Sequence, residues 1–163
     1  MVIRDDEQTV SYDYATHVCN QFAQLGARGV SVMFATGDVG VGAEGDCFTN
    51  DGRNASAFLP QFPPSCPYVT AVGATQGLNP EVAAYDGRYE FTSGGGFSNY
   101  FPRPAYQARV VGNYLSQYIG NEYAGLYNVS GRGYPDIAAQ GANFPPLFFP
   151  RWPHVDMTEN PQG

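Results

Sequence analysis

An amphipathic pattern followed at once by a short apolar run is the feature that most constrains the fold of this chain. Apolar residues recur at three- and four-residue spacing over residues 12–25, which predicts a helix that ends at Gly26. Residues 30–35 are β-rich and nearly all apolar, which is typical of a strand buried on both faces of a parallel sheet. Helix and strand of this length form half of a βαβ unit, so an α/β fold is predicted.

The rest of the chain extends this pattern as far as residue 144. Residues 44–67 form a predicted loop, 68–74 a second buried strand, and 76–92 irregular or hairpin structure. A second helix is predicted from Pro104, and its apolar residues fall along one side: Tyr106, Val110, Tyr114 and Tyr118. From residue 145 the sequence shows neither the spacing of a helix nor that of a strand. Residues 1–144 are therefore predicted to form the domain, and 145–163 a disordered tail.

Charge excludes two classes of function. The net charge is −7 and only 14% of the residues are charged, so a basic patch for nucleic acid or for an anionic membrane is not expected. No apolar run approaches the roughly 18 residues that a membrane span needs. The first 20 residues are polar and acidic, which predicts no signal peptide and, taken literally, a cytosolic chain.

Cysteines and glycosylation sequons point instead to the secretory pathway. Cys47 and Cys66 lie in turn-rich sequence and are predicted to form a disulfide, whereas Cys19 in the first helix is predicted to be a small buried apolar residue. Asn54 and Asn128 begin acceptor sequons in turn-like contexts, so both are candidate glycosylation sites. The conflict with the missing signal peptide suggests a truncated chain.

Asp38 is the residue whose position is most suggestive of chemistry. It follows a predicted parallel strand, and ligands of open α/β sheets bind at the carboxyl ends of the strands. Its glycine neighbours, including Gly37, suit either a simple turn or the close approach of a substrate backbone, and a turn is the more common role.

Three other groups of residues give weaker indications of a functional site. Residues 93–98 are predicted to be a glycine turn, since they match neither a nucleophile elbow nor a phosphate-binding loop. His17 and His154 have no Cys or acidic residue at metal-ligand spacing, so no metal site is predicted. The acidic residues 5–7 precede the first helix, where carboxylates favour the positive end of the helix dipole.

Four blocks of sequence together resemble one family. They are Gly26–Gly40 with Phe-Ala-Thr-Gly-Asp-Val-Gly, residues 67–75 with Pro-Tyr-Val-Thr-Ala-Val-Gly-Ala-Thr, residues 93–104, and residues 130–139 with Pro-Asp-Ile-Ala-Ala. In this order and spacing they resemble the sedolisins, the serine-carboxyl peptidases, in their tripeptidyl-peptidase branch. The resemblance covers residues 4–144 and does not extend into the tail.

This resemblance implies a partial subtilisin-like fold, with a mostly parallel sheet flanked by helices, and an acid mechanism. In the family a Glu backed by an Asp activates a Ser nucleophile, and a separate Asp, matched by Asp38, donates a hydrogen bond to the oxyanion. A carboxyl group can donate only when it is protonated, and an ordinary Asp is about half protonated near pH 4. The implied substrate is a peptide or protein, and the implied location is extracellular or an acidic vacuolar or lysosomal compartment.

The remaining catalytic groups of the family have no match in this sequence. The Ser-Gly-Thr-Ser nucleophile segment, the upstream Glu and Asp, and the calcium site are all missing from the 163 residues. We therefore expect no bound cofactor and a catalytically inactive fragment. Two alternatives stay open: a non-catalytic module that binds peptides as a decoy, and an α/β domain unrelated to peptidases.

Overall fold

The computed structural model describes residues 5–42, 47–88 and 91–142, and the predicted tail 145–163 lies outside them. Helix α1 covers Tyr12–Ala27 and helix α2 covers Ala108–Tyr114. Helix α2 is preceded by a 3-10 turn at Ala105–Gln107 and followed by a wider π turn at Leu115–Ile119, and another 3-10 turn covers Glu7–Thr9. The strands are β1 (Asp5–Asp6), β2 (Met33–Ala35), β3 (Gln61–Phe62), β4 (Thr70–Gln76), β5 (Val82–Ala83), β6 (Tyr85–Asp86), β7 (Phe91–Thr92), β8 (Gly96–Pro102), β9 (Gly131–Tyr134) and β10 (Ile137–Gln140).

A parallel sheet carries the fold. Its strand order is β10-β4-β2, with Met33 opposite Thr70 and Ile137 opposite Val72, and β5 adds antiparallel pairing at the end of β4. The other strands form two-stranded antiparallel pairs, β1 with β3, β6 with β7 and β8 with β9. The α/β class and the parallel pairing predicted from the sequence are confirmed.

Helix α1 has a capped start and a glycine-dependent end. The Ser11 side chain accepts a hydrogen bond from the backbone N–H of Tyr14. At the other end, Gly29 has a φ of +82° and the N–H of Val30 donates to the carbonyl of Leu25, the pattern of a Schellman motif. The predicted stop at Gly26 is therefore three residues early, because Gly29 and not Gly26 adopts the left-handed conformation.

The core lies between α1 and the segment that leads into β4. Its buried apolar residues are Ala15, Cys19, Phe62, Cys66, Val69 and Phe101. Partly buried apolar residues pack around them: Val10, Val18, Phe22, Val32, Phe34 and Tyr100. The apolar side of α1 that the sequence predicts is thus the side that meets this core.

The predicted disulfide between Cys47 and Cys66 is wrong. Cys66 is bonded to Cys19, with Cα atoms 5.7 Å apart, and Cys47 is a free, half-buried thiol. The physical reason is that α1 packs against the segment containing Cys66, so two buried cysteines meet inside the core. Cys19 is buried as predicted, but as a disulfide partner and not as a simple apolar residue.

The predicted burial of the strand at residues 30–35 on both faces is also wrong. Met33 of β2 is 59% exposed, because β2 is an outer strand of the sheet and is not covered on both faces in the described residues. On the second helix, Tyr106 and Val110 are each 62% exposed and Tyr118 is 77% exposed. The inward side of this helix is instead formed around Gln107, which is buried, and Val111, which is half-buried.

Candidate active site around Asp38

Asp38 lies at the edge of the sheet where the parallel strands end. Strand β2 ends at Ala35, and Asp38 follows three residues later with its side chain exposed. Because β2, β4 and β10 are parallel, their carboxyl ends share this edge. The prediction that Asp38 follows a parallel strand is confirmed, and the position is the one at which α/β sheets bind ligands.

The backbone around Asp38 is paired with a second segment of the chain. The N–H of Thr92 donates to the Asp38 carbonyl at 2.7 Å, and the N–H of Gly40 donates to the Thr92 carbonyl at 3.1 Å. The N–H of Gly94 donates to the Gly37 carbonyl at 2.9 Å. These hydrogen bonds fix the backbone that carries Asp38, while its carboxyl group stays on the surface.

Two glycines allow this close pairing. Gly37 has a φ of +102°, and a Cβ atom there would lie 2.2 Å from Oε1 of Gln61. A Cβ atom at Gly94 would lie 2.0 Å from the carbonyl oxygen of Thr36. The packing itself therefore requires both glycines, and the predicted contact of Gly37 with a substrate stays a prediction.

Ser93 links neighbouring segments of the backbone through hydrogen bonds. Its hydroxyl accepts a hydrogen bond from the N–H of Ala74 at 2.9 Å, and its own N–H donates to the Ala84 carbonyl at 2.9 Å. The predicted turn is shorter than expected, since strand β8 already begins at Gly96.

An ion pair between a buried arginine and a partly exposed aspartate braces the turn before β10. Arg132 is fully buried, and its guanidinium donates to Asp136 and to the Val69 carbonyl. The Asp136 carboxylate also accepts from the N–H of Ala71 at 2.8 Å and from Gln107 Nε2 at 2.9 Å. The buried charge is thus both paired and hydrogen-bonded, as a buried arginine requires.

Sequence reasoning missed a buried acidic group, at Glu7. Its carboxylate accepts a hydrogen bond from the Ser98 hydroxyl at 2.5 Å, across 91 positions of sequence. Placing it at a helix dipole was wrong, because the side chain is fully buried against β8. The one signal in the sequence was Ser98, a polar residue among the apolar and aromatic residues that form strand β8.

The two candidate glycosylation sites differ in their surroundings. Asn54 is exposed in a turn with a φ of +50°. The Asn128 side chain is half-buried, with Nδ2 donating to the Ser98 carbonyl at 2.9 Å and Oδ1 accepting from the N–H of Ser130. Glycosylation stays a prediction at both, and the structure makes Asn54 the more accessible.

The described residues contain neither a candidate metal cluster nor a membrane-spanning helix. Across 5–42, 47–88 and 91–142, no three His, Cys, Asp or Glu side chains are grouped so that they could hold a metal ion. Within the same ranges no helix is long and apolar enough to cross a membrane.

Known proteins similar to this chain are fungal peptidases. The tripeptidyl-peptidase SED2 of Arthroderma otae is 49% identical over 140 residues, and the probable tripeptidyl-peptidase SED3 of Arthroderma benhamiae is 51% identical over 140 residues. The tripeptidyl-peptidase sed4 of Aspergillus fumigatus is 48% identical over 139 residues. The alignments cover 83% to 86% of this chain but 22% of each relative, so the chain spans about a fifth of their length.

A solved structure supports the fold. Pseudomonas sedolisin, a serine-carboxyl proteinase complexed with two molecules of pseudo-iodotyrostatin, matches with a TM-score of 0.58 and 22% identity. The match covers 87% of this chain and 37% of that chain. No family model matches the chain. The predicted subtilisin-like α/β fold and the resemblance to sedolisins of the tripeptidyl-peptidase branch are confirmed.

Proposed function

We propose that this chain, whose curated relatives are tripeptidyl-peptidases and whose fold is that of a sedolisin, is the oxyanion-stabilising part of an acid-acting serine-carboxyl peptidase. The observation that carries the proposal is the exposed Asp38 carboxyl group at the carboxyl edge of the parallel sheet, on a backbone held by Thr92. The substrate class is a peptide or protein, and the working compartment is extracellular or an acidic organelle.

The chemistry of Asp38 suits such a role. In acyl transfer, negative charge develops on the carbonyl oxygen, and a hydrogen-bond donor fixed beside that oxygen lowers the barrier. A carboxyl group provides this donor only in its protonated form, so the activity belongs at acidic pH. The fixed backbone means that little reorganisation is needed when the oxyanion forms. A single donor of this kind contributes roughly 3–4 kcal/mol, or 10²- to 10³-fold in rate.

We also propose that the 163 residues alone do not hydrolyse peptides. They contain neither the Ser-Gly-Thr-Ser segment nor a match to the Glu and Asp that activate the nucleophile in sedolisins. An oxyanion donor without a nucleophile has no oxyanion to stabilise. A peptidase assay near pH 4, with an active-site serine probe alongside, tests this directly. Turnover or covalent labelling would show that the chain carries its own nucleophile.

A chimera tests the role of Asp38. The 140 aligned residues of the Arthroderma otae relative are replaced by the matching residues of this chain. We expect the chimera to cleave a tripeptidyl substrate at acidic pH and the Asp38→Ala variant to lose about 10²- to 10³-fold in kcat. Asp38→Asn should recover part of the rate and extend it to higher pH, because an amide donates whether or not the solution is acidic.

Asp51→Ala is the matched control, since Asp51 is also an exposed aspartate but pairs with Arg53 on a surface turn. It should leave kcat unchanged. A folded, active chimera that tolerates Asp38→Ala would contradict the proposed role. Peptide binding by the 163-residue chain, with a cooperative thermal transition and no turnover, would favour the decoy module over the enzyme fragment.

A further inference from the structure

Gln61 is a buried amide side chain packed against Gly37, the residue before Asp38. It is 3% exposed, and its amide occupies the place that a Cβ atom of residue 37 would take, with Cδ 3.0 Å from that position. Among the described residues no donor forms a hydrogen bond with Oε1 of Gln61. Burying an amide oxygen without a donor costs stability, so the direction of this side chain calls for a role other than hydrogen bonding.

The backbone of Gln61 is fixed by three contacts. Its N–H donates to the Tyr134 hydroxyl at 2.8 Å, and its carbonyl accepts from the N–H of Ser65 at 3.0 Å. In the antiparallel pair of β1 and β3, Gln61 lies opposite Asp6. The side chain that packs against Gly37 therefore starts from a backbone with little freedom to move.

A second neighbour, Gly94, contacts Gly37 through the backbone. The N–H of Gly94 donates to the Gly37 carbonyl at 2.9 Å, and a Cβ atom on Gly94 would lie 3.2 Å from the Cα atom of Gly37. Gly37 has no side chain of its own and a φ of +102°, a conformation that glycine enters and leaves easily. The contacts with Gln61 and Gly94 supply the restriction that glycine itself does not.

We propose that Gln61 is a positioning residue for Asp38: its amide holds Gly37 at positive φ and so fixes the direction in which the next residue presents its carboxyl group. This inference rests on the proposed function of Asp38 as the oxyanion donor. Gln61 acts through Gly37 and does not meet the substrate, since its amide is buried. A misplacement of about 1 Å in a catalytic group can cost about 10²-fold in rate, so such support matters for catalysis.

Amide hydrogen exchange of the 163-residue chain tests the positioning without any catalysis. Gln61→Ala removes the amide that packs against Gly37, so the Gly94 N–H, which donates to the Gly37 carbonyl, should exchange at least about tenfold faster. Gln61→Met keeps the length of the side chain and should restore most of the protection. Val69→Ala is the matched control, since it truncates another buried side chain, and it should speed the exchange of Gly94 much less.

A double-mutant cycle in the chimera connects the positioning to catalysis. Gln61→Ala should lower kcat by about tenfold or more and leave KM nearly unchanged, because a misplaced oxyanion donor is missed only in the transition state. In the Asp38→Ala background the same change should lower kcat by less than about twofold, since Gln61 acts through Asp38. Val69→Ala should leave kcat unchanged in both backgrounds.

The outcomes separate this inference from the proposed function. A loss of kcat in Asp38→Ala with none in Gln61→Ala would overturn the positioning role and leave the oxyanion role standing. Equal losses from Gln61→Ala in both backgrounds would show a merely structural contribution and also overturn the proposal. If Asp38→Ala is fully active the oxyanion role fails, and the exchange of the Gly94 N–H still decides whether Gln61 holds Gly37. If Gln61→Ala does not fold, Gln61→Asn, which draws the amide back by one methylene group, replaces it with the same expected directions.

Discussion

Substitution by alanine should have opposite effects on the stability of the fold at Gly37 and at Gly26. Gly37 has a φ of +102° and touches Gln61, whereas Gly26 lies inside helix α1 with no atom within 4 Å of a Cβ position. We expect Gly37→Ala to lower the free energy of unfolding by roughly 1–3 kcal/mol, because the new side chain adds backbone strain and a steric overlap. Gly26→Ala should raise it by roughly 0.5–1 kcal/mol.

Denaturant unfolding of both variants measures these changes. An unchanged midpoint for Gly37→Ala would mean that the loop before Asp38 is not fixed as the hydrogen bonds to Thr92 and Gly94 indicate. A destabilised Gly26→Ala would instead show that the helix end differs from the capped form around Gly29.

At the residue scale, the sequence predicts where a residue lies relative to a helix or strand better than it predicts which side chains that residue contacts. The location of Asp38 followed from the strand before it, because a strand and its end are local patterns. The burial of Glu7 did not, since its partner Ser98 is 91 positions away and only the folded chain brings them together. Arg132 gave no signal either: Asp136 is only four positions away, but the Val69 carbonyl, its other partner, is 63 positions away.

At the scale of elements, the Cys19–Cys66 disulfide ties helix α1 to the segment before β4. It closes a separation of 47 residues, and in the chain-entropy model its loss lowers the free energy of unfolding by about 4 kcal/mol. We expect the double variant Cys19→Ala, Cys66→Ala to show this loss in denaturant unfolding. Cys47→Ser should be nearly neutral because Cys47 is a free, half-buried thiol.

The cysteine pairing shows why spacing in the sequence was a poor guide at this scale. Cys47 and Cys66 share a turn-rich composition, but the geometry of the core decides which sulfur atoms meet. If Cys47→Ser were as destabilising as the double variant, the pairing with Cys19 would be contradicted. For helix α1, the predicted last residue, 25, lies two positions before the observed last residue, Ala27. The prediction is this close because the apolar spacing in the sequence marks the side of the helix that packs against the core.

At the scale of the whole molecule, the two outer strands of the parallel sheet decide how the chain behaves in solution. Met33 of β2 is 59% exposed and Ile137 of β10 is 52% exposed, and all four residues of β10 are exposed in the part of the chain that the structure describes. Burial of β2 was predicted from its apolar composition, but composition does not say what covers a strand. An outer strand with exposed apolar residues offers unpaired backbone groups to another chain.

We therefore expect the 163-residue chain to self-associate as its concentration rises, through the edges of the parallel sheet. Met33→Lys and Ile137→Lys should each reduce association in sedimentation velocity measurements, because a lysine on an edge opposes strand pairing between chains. Tyr118→Lys is the matched control, since Tyr118 is 77% exposed but lies in the π turn after helix α2, away from the sheet strands. An equal effect of all three variants would point to general apolar contact or simple charge repulsion, and a monomer at every concentration would contradict the prediction altogether.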